Sequence, residues 1–167
     1  FNLFKKIIAL DNKLYEFYED TEISWINDLP LVNSLVLTTL KKIDKLSRKS
    51  SLIIKIYKND EDAEFGVKLI NEVISNSDLL VEEIDKFTAN WDKDRIAQID
   101  LILLRMCLAE FLFFDSIPVK VSINEYLELA KEYSSPKSNI FINGVMDAIS
   151  KQLFKDGRIK KNKRGLQ

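Results

Sequence analysis

The chain has 167 residues, of which 46% are hydrophobic and 31% are charged. This length and composition fit one globular domain, and no stretch approaches the roughly 20 uncharged apolar residues that a membrane span needs. The lack of histidine and the single cysteine, Cys107, exclude histidine-dependent catalysis, a disulfide within the chain and most zinc sites. Four dispersed glycines leave no glycine-rich loop for a nucleotide phosphate. We therefore expect a protein that is not an enzyme and has no cofactor.

The charge of the chain is unevenly distributed, although its net value is only −1. Residues 151–167 contain seven basic side chains and one acidic side chain, so they carry +6 and the preceding residues carry −7. A basic segment beside an acidic body suggests contact with a polyanion. The alternative, which composition alone favours, is a solubilising and disordered terminus.

Helical spacing dominates the pattern of apolar residues from the start of the chain. Residues 2–19 place apolar side chains three and four positions apart, which predicts one amphipathic helix. Residues 25–30 are interpreted as a connector that leads into a second helix over residues 31–47. Residues 47–59 are ambiguous between an apolar loop and a short helical turn. We interpret residues 1–57 as a helical extension that packs on the rest of the protein.

The next two helices are predicted from their start signals. Asn59 and the acidic residues that follow it indicate a helix that runs to about residue 75. Ser77 is predicted to cap the following helix, whose inner stripe continues as far as Trp91.

The longest predicted helix runs from about Asp92 to Phe114. Residues 99–114 are apolar on nearly every side, so this helix should be surrounded by others, with Cys107 as a small core residue. Pro118 is predicted to open the helix after it.

A Ser135-Pro136 pair predicts the start of the last helix, and Gly157 predicts its end. The fold class is therefore all-α, a bundle of about six to seven helices. We expect a helical core over residues 58–156 and a basic tail over residues 157–167.

Three residues are unusual for the helices in which the pattern places them. Asn124 and Asn143 are poor helix formers, so each is expected to make a specific hydrogen bond, with a buried structural bond preferred over a ligand contact. Gly144 costs about 1 kcal/mol relative to alanine inside a helix, which indicates the close approach of a neighbouring helix.

The segment 94–149 contains several short motifs in a fixed order with short gaps. They are Leu103-Leu104-Arg105, Glu110-Phe111, Ile117-Pro118-Val119-Lys120-Val121, Ile123-Asn124-Glu125, Glu128-Leu129-Ala130-Lys131 and Phe141-Ile142-Asn143-Gly144-Val145-Met146-Asp147. With these motifs the segment resembles the C-terminal half of the bacterial NusB transcription antitermination factors. Residues 60–93 resemble the family more loosely, and residues 1–57 and the basic tail resemble an extended branch of it.

The resemblance implies an all-helical fold of two three-helix bundles and a cytoplasmic factor that binds RNA and protein. NusB proteins bind the single-stranded boxA element of ribosomal RNA leaders together with the ribosomal protein NusE, within the antitermination complex of RNA polymerase. In the family, much of the RNA contact comes from an arginine-rich N-terminal helix, whereas residues 1–20 contain no arginine. The resemblance implies that this helix either lies upstream of Phe1 or has been lost in this branch.

Two RNA-facing positions of the family map onto this chain, at Asp100 and Phe141. A carboxylate can accept a hydrogen bond from a base amino group, and a phenyl ring can stack on an unpaired base. The tail adds candidate phosphate contacts at Lys160, Lys161, Lys163 and Arg164.

Two other functions remain open at this point. A NusB-like domain also precedes the catalytic domain of ribosomal-RNA cytosine methyltransferases. The third possibility is a helical scaffold that binds only proteins and has no RNA role.

Overall fold

The computed structural model describes residues 1–43, 56–89, 91 and 96–166, and the chain divides into two compact units, Phe1–Lys58 and Asn59–Gln167. Every regular element in the described ranges is a helix, so the all-α prediction is confirmed. The first unit contains α1 (Asn2–Lys6), a short 3-10 helix (Ile8–Leu10), α2 (Asn12–Thr21) and α3 (Trp25–Ile43). The second unit contains α4 (Asp60–Ser75), α5 (Ser77–Thr88), α6 (Gln98–Phe113), α7 (Val119–Tyr133) and α8 (Ser138–Lys155). The described ranges thus hold eight α-helices, where six to seven were expected.

The extra helix arises because residues 2–19 do not form one helix. The chain leaves the helical conformation at Ile7, and α2 begins at Asn12. The Oδ1 atom of Asp11 accepts a hydrogen bond from the backbone N–H of Leu14 at 3.0 Å. Aspartate is a favoured N-cap because this bond satisfies a backbone donor that the first helical turn leaves free. The local cap therefore interrupts the continuous apolar stripe.

The third helix begins earlier than the sequence predicts. Residues 25–30, interpreted as a connector, are the first turns of α3, and Pro30 lies inside that helix. The buried side chain of Asn33 donates a hydrogen bond to the Tyr15 hydroxyl at 3.1 Å, which ties α3 to α2. Most of the ambiguous stretch 47–59 lies outside the described residues. The packing of residues 1–57 on the rest of the protein stays a prediction.

The start of α4 is confirmed, and that of α5 differs by one residue. Asn59 caps α4, because its Oδ1 atom accepts from the backbone N–H of Asp62 at 2.9 Å. Asn76 rather than Ser77 occupies the N-cap position of α5. The predicted helix start near Asp92 lies outside the described residues.

Helix α6 lies at the centre of the second unit and contacts α4, α5, α7 and α8. Its residues Leu104, Cys107 and Leu108 have no exposed surface. The prediction of a central helix with a buried cysteine is therefore confirmed. The prediction that it is the longest helix is wrong within the described ranges, since α6 has 16 residues and α3 has 19.

The last two helices pack on α6 and on each other. Pro118 directly precedes α7, as its fixed φ angle favours. Helix α8 begins at Ser138, three residues after the predicted cap at Ser135. Gly157 adopts a φ of 63° and ends α8 as predicted. The backbone N–H groups of Gly157 and Arg158 donate to the carbonyls of Phe154 and Leu153, the two-bond closure that a left-handed glycine allows.

Candidate nucleic-acid interface

An aromatic pair, Trp91 and Phe141, lies on the surface of the second unit. The half-buried Phe141 lies near the start of α8, and its ring centroid is 4.8 Å from that of Trp91 with an angle of 65° between the planes. Trp91 is 53% exposed. The packing fixes one part of the indole and leaves the rest open to solvent. An exposed aromatic ring held in this way offers a surface on which a base can stack.

The sequence pattern misplaces Trp91. The residue was expected to continue the inner stripe of α5, but that helix ends at Thr88, and Trp91 lies in a turn beyond it. The backbone N–H of Trp91 donates to the carbonyl of Thr88 at 2.9 Å. Helical spacing alone cannot show this change of direction, because a tryptophan four residues after Phe87 fits either position.

Two asparagines, Asn124 on α7 and Asn143 on α8, were expected to make buried hydrogen bonds, and this prediction is wrong. The side chains of Asn124 and Asn143 are both exposed. Gly144 is also exposed, and a Cβ atom added there would meet no atom within 4 Å. No helix of the described chain therefore approaches Gly144 closely. Gly144 follows Phe141 by one helical turn on the same side of α8, so it leaves the surface beside the aromatic pair open.

Asp100 is buried, with 4% of its area exposed. Its Oδ1 atom accepts from the Ser134 hydroxyl at 2.5 Å, and its Oδ2 atom accepts from the Ser138 hydroxyl at 2.7 Å. Both carboxylate oxygens are thus occupied inside the protein. Asp100 is therefore not exposed as Trp91 is, although the family resemblance implied that Asp100 and Phe141 both face RNA.

The same hydrogen bonds explain why α8 starts late. Ser138 is the first residue of α8, and its hydroxyl also contacts that of Ser135 at 2.8 Å. Asp100 on α6 therefore holds the turn between α7 and α8 in place. Since Phe141 follows Ser138 by three residues, this buried contact also sets the position of the aromatic pair.

The basic tail is ordered against the helices, so the expectation of a disordered terminus is wrong for its described residues. We call residues 158–166 the strap. Arg158 donates from Nη1 to Glu83 Oε2 on α5 at 2.7 Å. The backbone N–H of Asn162 donates to the carbonyl of Asp115 at 3.0 Å, after the end of α6.

Lys161 joins the strap to the end of α6. Its Nζ atom donates to the carbonyls of Glu110 and Phe114 at 2.9 and 2.7 Å, two acceptors at the C-terminal end of α6. Burial lowers the pKa of the Lys161 ammonium, although the nearby negative charges of Glu110 and Asp115 oppose this effect. The side chain is half-buried. The Lys161 side chain therefore points toward the helices, whereas a contact with phosphate was expected from the sequence.

The other candidate cations of the strap point toward solvent. Lys160 and Lys163 are exposed. The side chain of Arg164 is 70% exposed, and its Nη1 atom lies 3.8 Å from Glu61 Oε2, whose side chain is 67% exposed. An exposed ion pair at this distance is weak and readily exchanged.

A buried polar cluster lies where Lys161 enters the fold. The Glu110 carboxylate accepts from the Ser122 hydroxyl at 2.6 Å and from the Tyr126 hydroxyl at 2.7 Å. Burial and the charge of Glu110 raise the pKa of Tyr126, so its hydroxyl keeps the proton that it donates. This cluster joins α6 to α7.

Two further properties concern the part of the chain that the structure describes. Its cysteine, aspartate and glutamate side chains do not gather in any group of three or more that could hold a metal ion. None of its helices is both long enough and apolar enough to cross a bilayer.

The sequence model of the NusB family matches residues 32–151, which is more than half of the chain. The chain belongs to the NusB family. Proteins named transcription antitermination protein NusB are similar to it in sequence. The Salinibacter ruber protein is 44% identical over 110 residues, which are 64% of this chain and 69% of that protein.

Two other NusB relatives match over comparable lengths. The Chloroherpeton thalassium protein is 39% identical over 126 residues, covering 75% of this chain and 59% of that protein. The Clostridium kluyveri protein is 45% identical over 100 residues, covering 60% of this chain and 62% of that protein. The match therefore spans less than two thirds of these two relatives.

A solved structure supports the same assignment. The structure of T. maritima NusB superimposes with a TM-score of 0.53 and 27% identity, over 71% of this chain and 87% of that one. Both the sequence and the helical arrangement therefore agree with the NusB resemblance carried by residues 94–149.

Proposed function

We propose that this NusB-family chain is a transcription antitermination factor that binds single-stranded, boxA-like RNA through the Trp91–Phe141 pair. The exposed indole of Trp91, held on Phe141, is the observation that carries the proposal. The names of the relatives, transcription antitermination protein NusB, support the biological role. No catalytic step is part of the proposal.

The aromatic pair supplies the base contact. Stacking of one base on an aromatic side chain contributes about 1–3 kcal/mol. Trp91 offers the larger free surface, while Phe141 limits its rotation. Asp100 acts in this proposal as a positioning residue, since its carboxylate is occupied by Ser134 and Ser138. Direct base contact by Asp100 would require these hydroxyls to rearrange.

The partners proposed are those that the family resemblance implies. They are a NusE-like ribosomal protein, boxA-like RNA and the antitermination complex of RNA polymerase, in the cytoplasm. The support is the assignment to the family over residues 32–151. Titration calorimetry with the NusE protein of the same organism tests the protein contact, and no heat at tens of micromolar with folded protein would count against it.

The RNA contact is tested with Phe141→Ala and Trp91→Ala. Each variant should lose about 5- to 150-fold in affinity for boxA RNA, the equivalent of about 1–3 kcal/mol of stacking. The loss should be smaller for a scrambled RNA of equal length. The measurement is fluorescence anisotropy with labelled RNA.

Phe154→Ala provides the matched control, because Phe154 is an exposed phenylalanine farther along α8. It should leave both affinities unchanged. Equal losses on boxA and scrambled RNA for Phe141→Ala would reduce that residue to a packing role. Heat with NusE but no RNA binding in any form would favour a protein-binding scaffold instead.

A further inference from the structure

We propose that the strap, residues 158–166, is a pre-formed binding site for RNA phosphates, in which Lys161 and Gly165 hold the backbone so that Lys160 and Lys163 face solvent. The RNA ligand of this site rests on the proposed function. The site itself rests on the contacts of the strap with the second unit.

Lys161 separates the two outward-facing lysines. Its ammonium is bound to the carbonyls of Glu110 and Phe114 at 2.9 and 2.7 Å, so its side chain points into the protein. Lys160 precedes it and Lys163 follows it by two residues, and both are exposed. Within the described part of the chain, neither Lys160 nor Lys163 makes an ion pair. These two cations are therefore available to a ligand.

A turn at Asn162 fixes the second half of the strap. The Oδ1 atom of Asn162 accepts from the backbone N–H groups of Arg164 and Gly165 at 2.9 and 3.1 Å. The backbone N–H of Leu166 donates to the carbonyl of Asn162 at 3.1 Å. These bonds close a compact turn with Lys163 on it, so the backbone on both sides of the exposed lysine is held.

Gly165 allows the turn to lie against the backbone of Asp115, just after the end of α6. The residue is buried, and a Cβ atom built there would overlap the backbone carbonyl of Asp115. Because a carbonyl oxygen of the main chain cannot swing aside as a flexible side chain can, only glycine fits this contact. Gly165 is thus a positioning residue without charge, which makes it useful as a probe.

The remaining basic residues of the strap are already paired with carboxylates. Arg158 is bound to the buried side chain of Glu83 at 2.7 Å and supports the start of the strap. Arg164 lies 3.8 Å from the exposed Glu61, a contact that phosphate can displace. The positive charges that a ligand can contact are therefore those of Lys160 and Lys163, and that of Arg164 once phosphate has displaced Glu61.

A fixed strap and a flexible basic tail predict different effects of uncharged substitutions. In a flexible tail, only the charges matter. In a fixed strap, only the form in which the strap is held against the second unit, here called the docked form, is ready to bind. A substitution that releases the strap lowers the fraction of protein in that form. If Gly165→Ala reduces that fraction to about one tenth, the apparent Kd rises about tenfold although no charge has changed.

The experiment compares a boxA RNA with an oligouridine of equal length at several salt concentrations, by fluorescence anisotropy. The double variant Lys160→Gln, Lys163→Gln should weaken binding to both RNAs. The plot of log K against log salt should become less steep by about 1.4, since each phosphate contact to a single strand contributes about 0.7 to the steepness. Gly165→Ala should weaken both RNAs and leave the slope unchanged. Gly66→Ala is the matched control, because a Cβ atom there meets no atom within 4 Å.

Lys161→Gln distinguishes positioning from direct contact. If Lys161 positions the strap, the affinity falls while the slope stays the same, because binding still selects the docked form. If Lys161 contacts a phosphate, the plot of log K against log salt becomes less steep by about 0.7. Hydrogen exchange at the amides of Asn162 and Leu166 reports whether each variant releases the strap.

Several results would overturn the proposal. If the Gly165→Ala variant releases the strap and still binds RNA as tightly as the control variant Gly66→Ala, the basic segment acts as a flexible tail. A strap that stays protected in both Gly165→Ala and Lys161→Gln would contradict the holding contacts. Absence of oligouridine binding at low salt would remove the phosphate site. Strap-dependent binding of oligouridine without preference for boxA would instead leave the strap in place and refute the proposed boxA function.

Discussion

The buried hydrogen bond from Tyr126 to Glu110 gives the sharpest test of what holds α6 and α7 together. Only 2% of Tyr126 and 6% of Glu110 are exposed, and the oxygen atoms lie 2.7 Å apart. Tyr126→Phe removes one oxygen and leaves the ring in place. A hydrogen bond to a charged group contributes about 1.5–3 kcal/mol, and a buried carboxylate that loses a donor is not compensated by water. We expect the free energy of unfolding to fall by that amount.

Urea unfolding followed by circular dichroism measures this loss. The control is Tyr57→Phe, because Tyr57 is exposed and the same change should stay within about 0.5 kcal/mol. Ser122→Ala removes the second hydroxyl donor, which lies 2.6 Å from the same carboxylate. The two losses should not add, since both variants act on one group. A loss below about 0.5 kcal/mol for Tyr126→Phe would refute the reasoning.

Three further predictions concern α6 and its neighbours. Leu103→Ala should lower the free energy of unfolding by about 2–5 kcal/mol through the cavity it leaves, and a loss below about 1 kcal/mol would mean that α6 is not surrounded. Burial raises the pKa of Glu83, but the hydrogen bond and charge of Arg158 and further basic contacts outweigh it and hold the pKa below the ordinary 4.5. The unfolded chain therefore binds a proton at Glu83 more readily than the folded chain does. The wild-type protein should have a higher free energy of unfolding than Arg158→Gln at neutral pH, and this difference should shrink as the pH falls below 4.5. A difference that does not change with pH would contradict this. Burial raises the pKa of Cys107 well above its ordinary value, so a thiol reagent should label the unfolded protein and spare the native one, and rapid native labelling would be the opposing result.

Periodicity and caps predicted the helices of the second unit because those signals are local. The apolar run around Cys107 identified α6 as central, and Asn59 and Gly157 marked the correct ends of α4 and α8. The same local logic failed at Asp11, where a cap within an apolar stripe divides one predicted helix. It also failed at the start of α8, because the carboxylate that sets this start belongs to α6 and lies 38 residues earlier, at Asp100.

The candidate site was less accessible to sequence reasoning than the fold. The resemblance pointed to Phe141, but the larger exposed ring, Trp91, was assigned to an inner stripe, and only tertiary structure shows it on the surface. Among the tail lysines, composition could not separate Lys161 from its neighbours. What separates them is the position of the α6 carbonyls, which depends on the packing of distant segments.

The lysine that completes α6 comes late in the chain. Lys161 lies 51 and 47 residues after its two acceptors, Glu110 and Phe114. Since ribosomes add about 5–20 residues per second, Lys161 is synthesised about 2–10 s after these carbonyls. In that interval the last turn of α6 is open to water, and the core surface that Ile159 later covers is open to chaperones. A nascent chain that stalls before Lys161 would keep this end of α6 exposed.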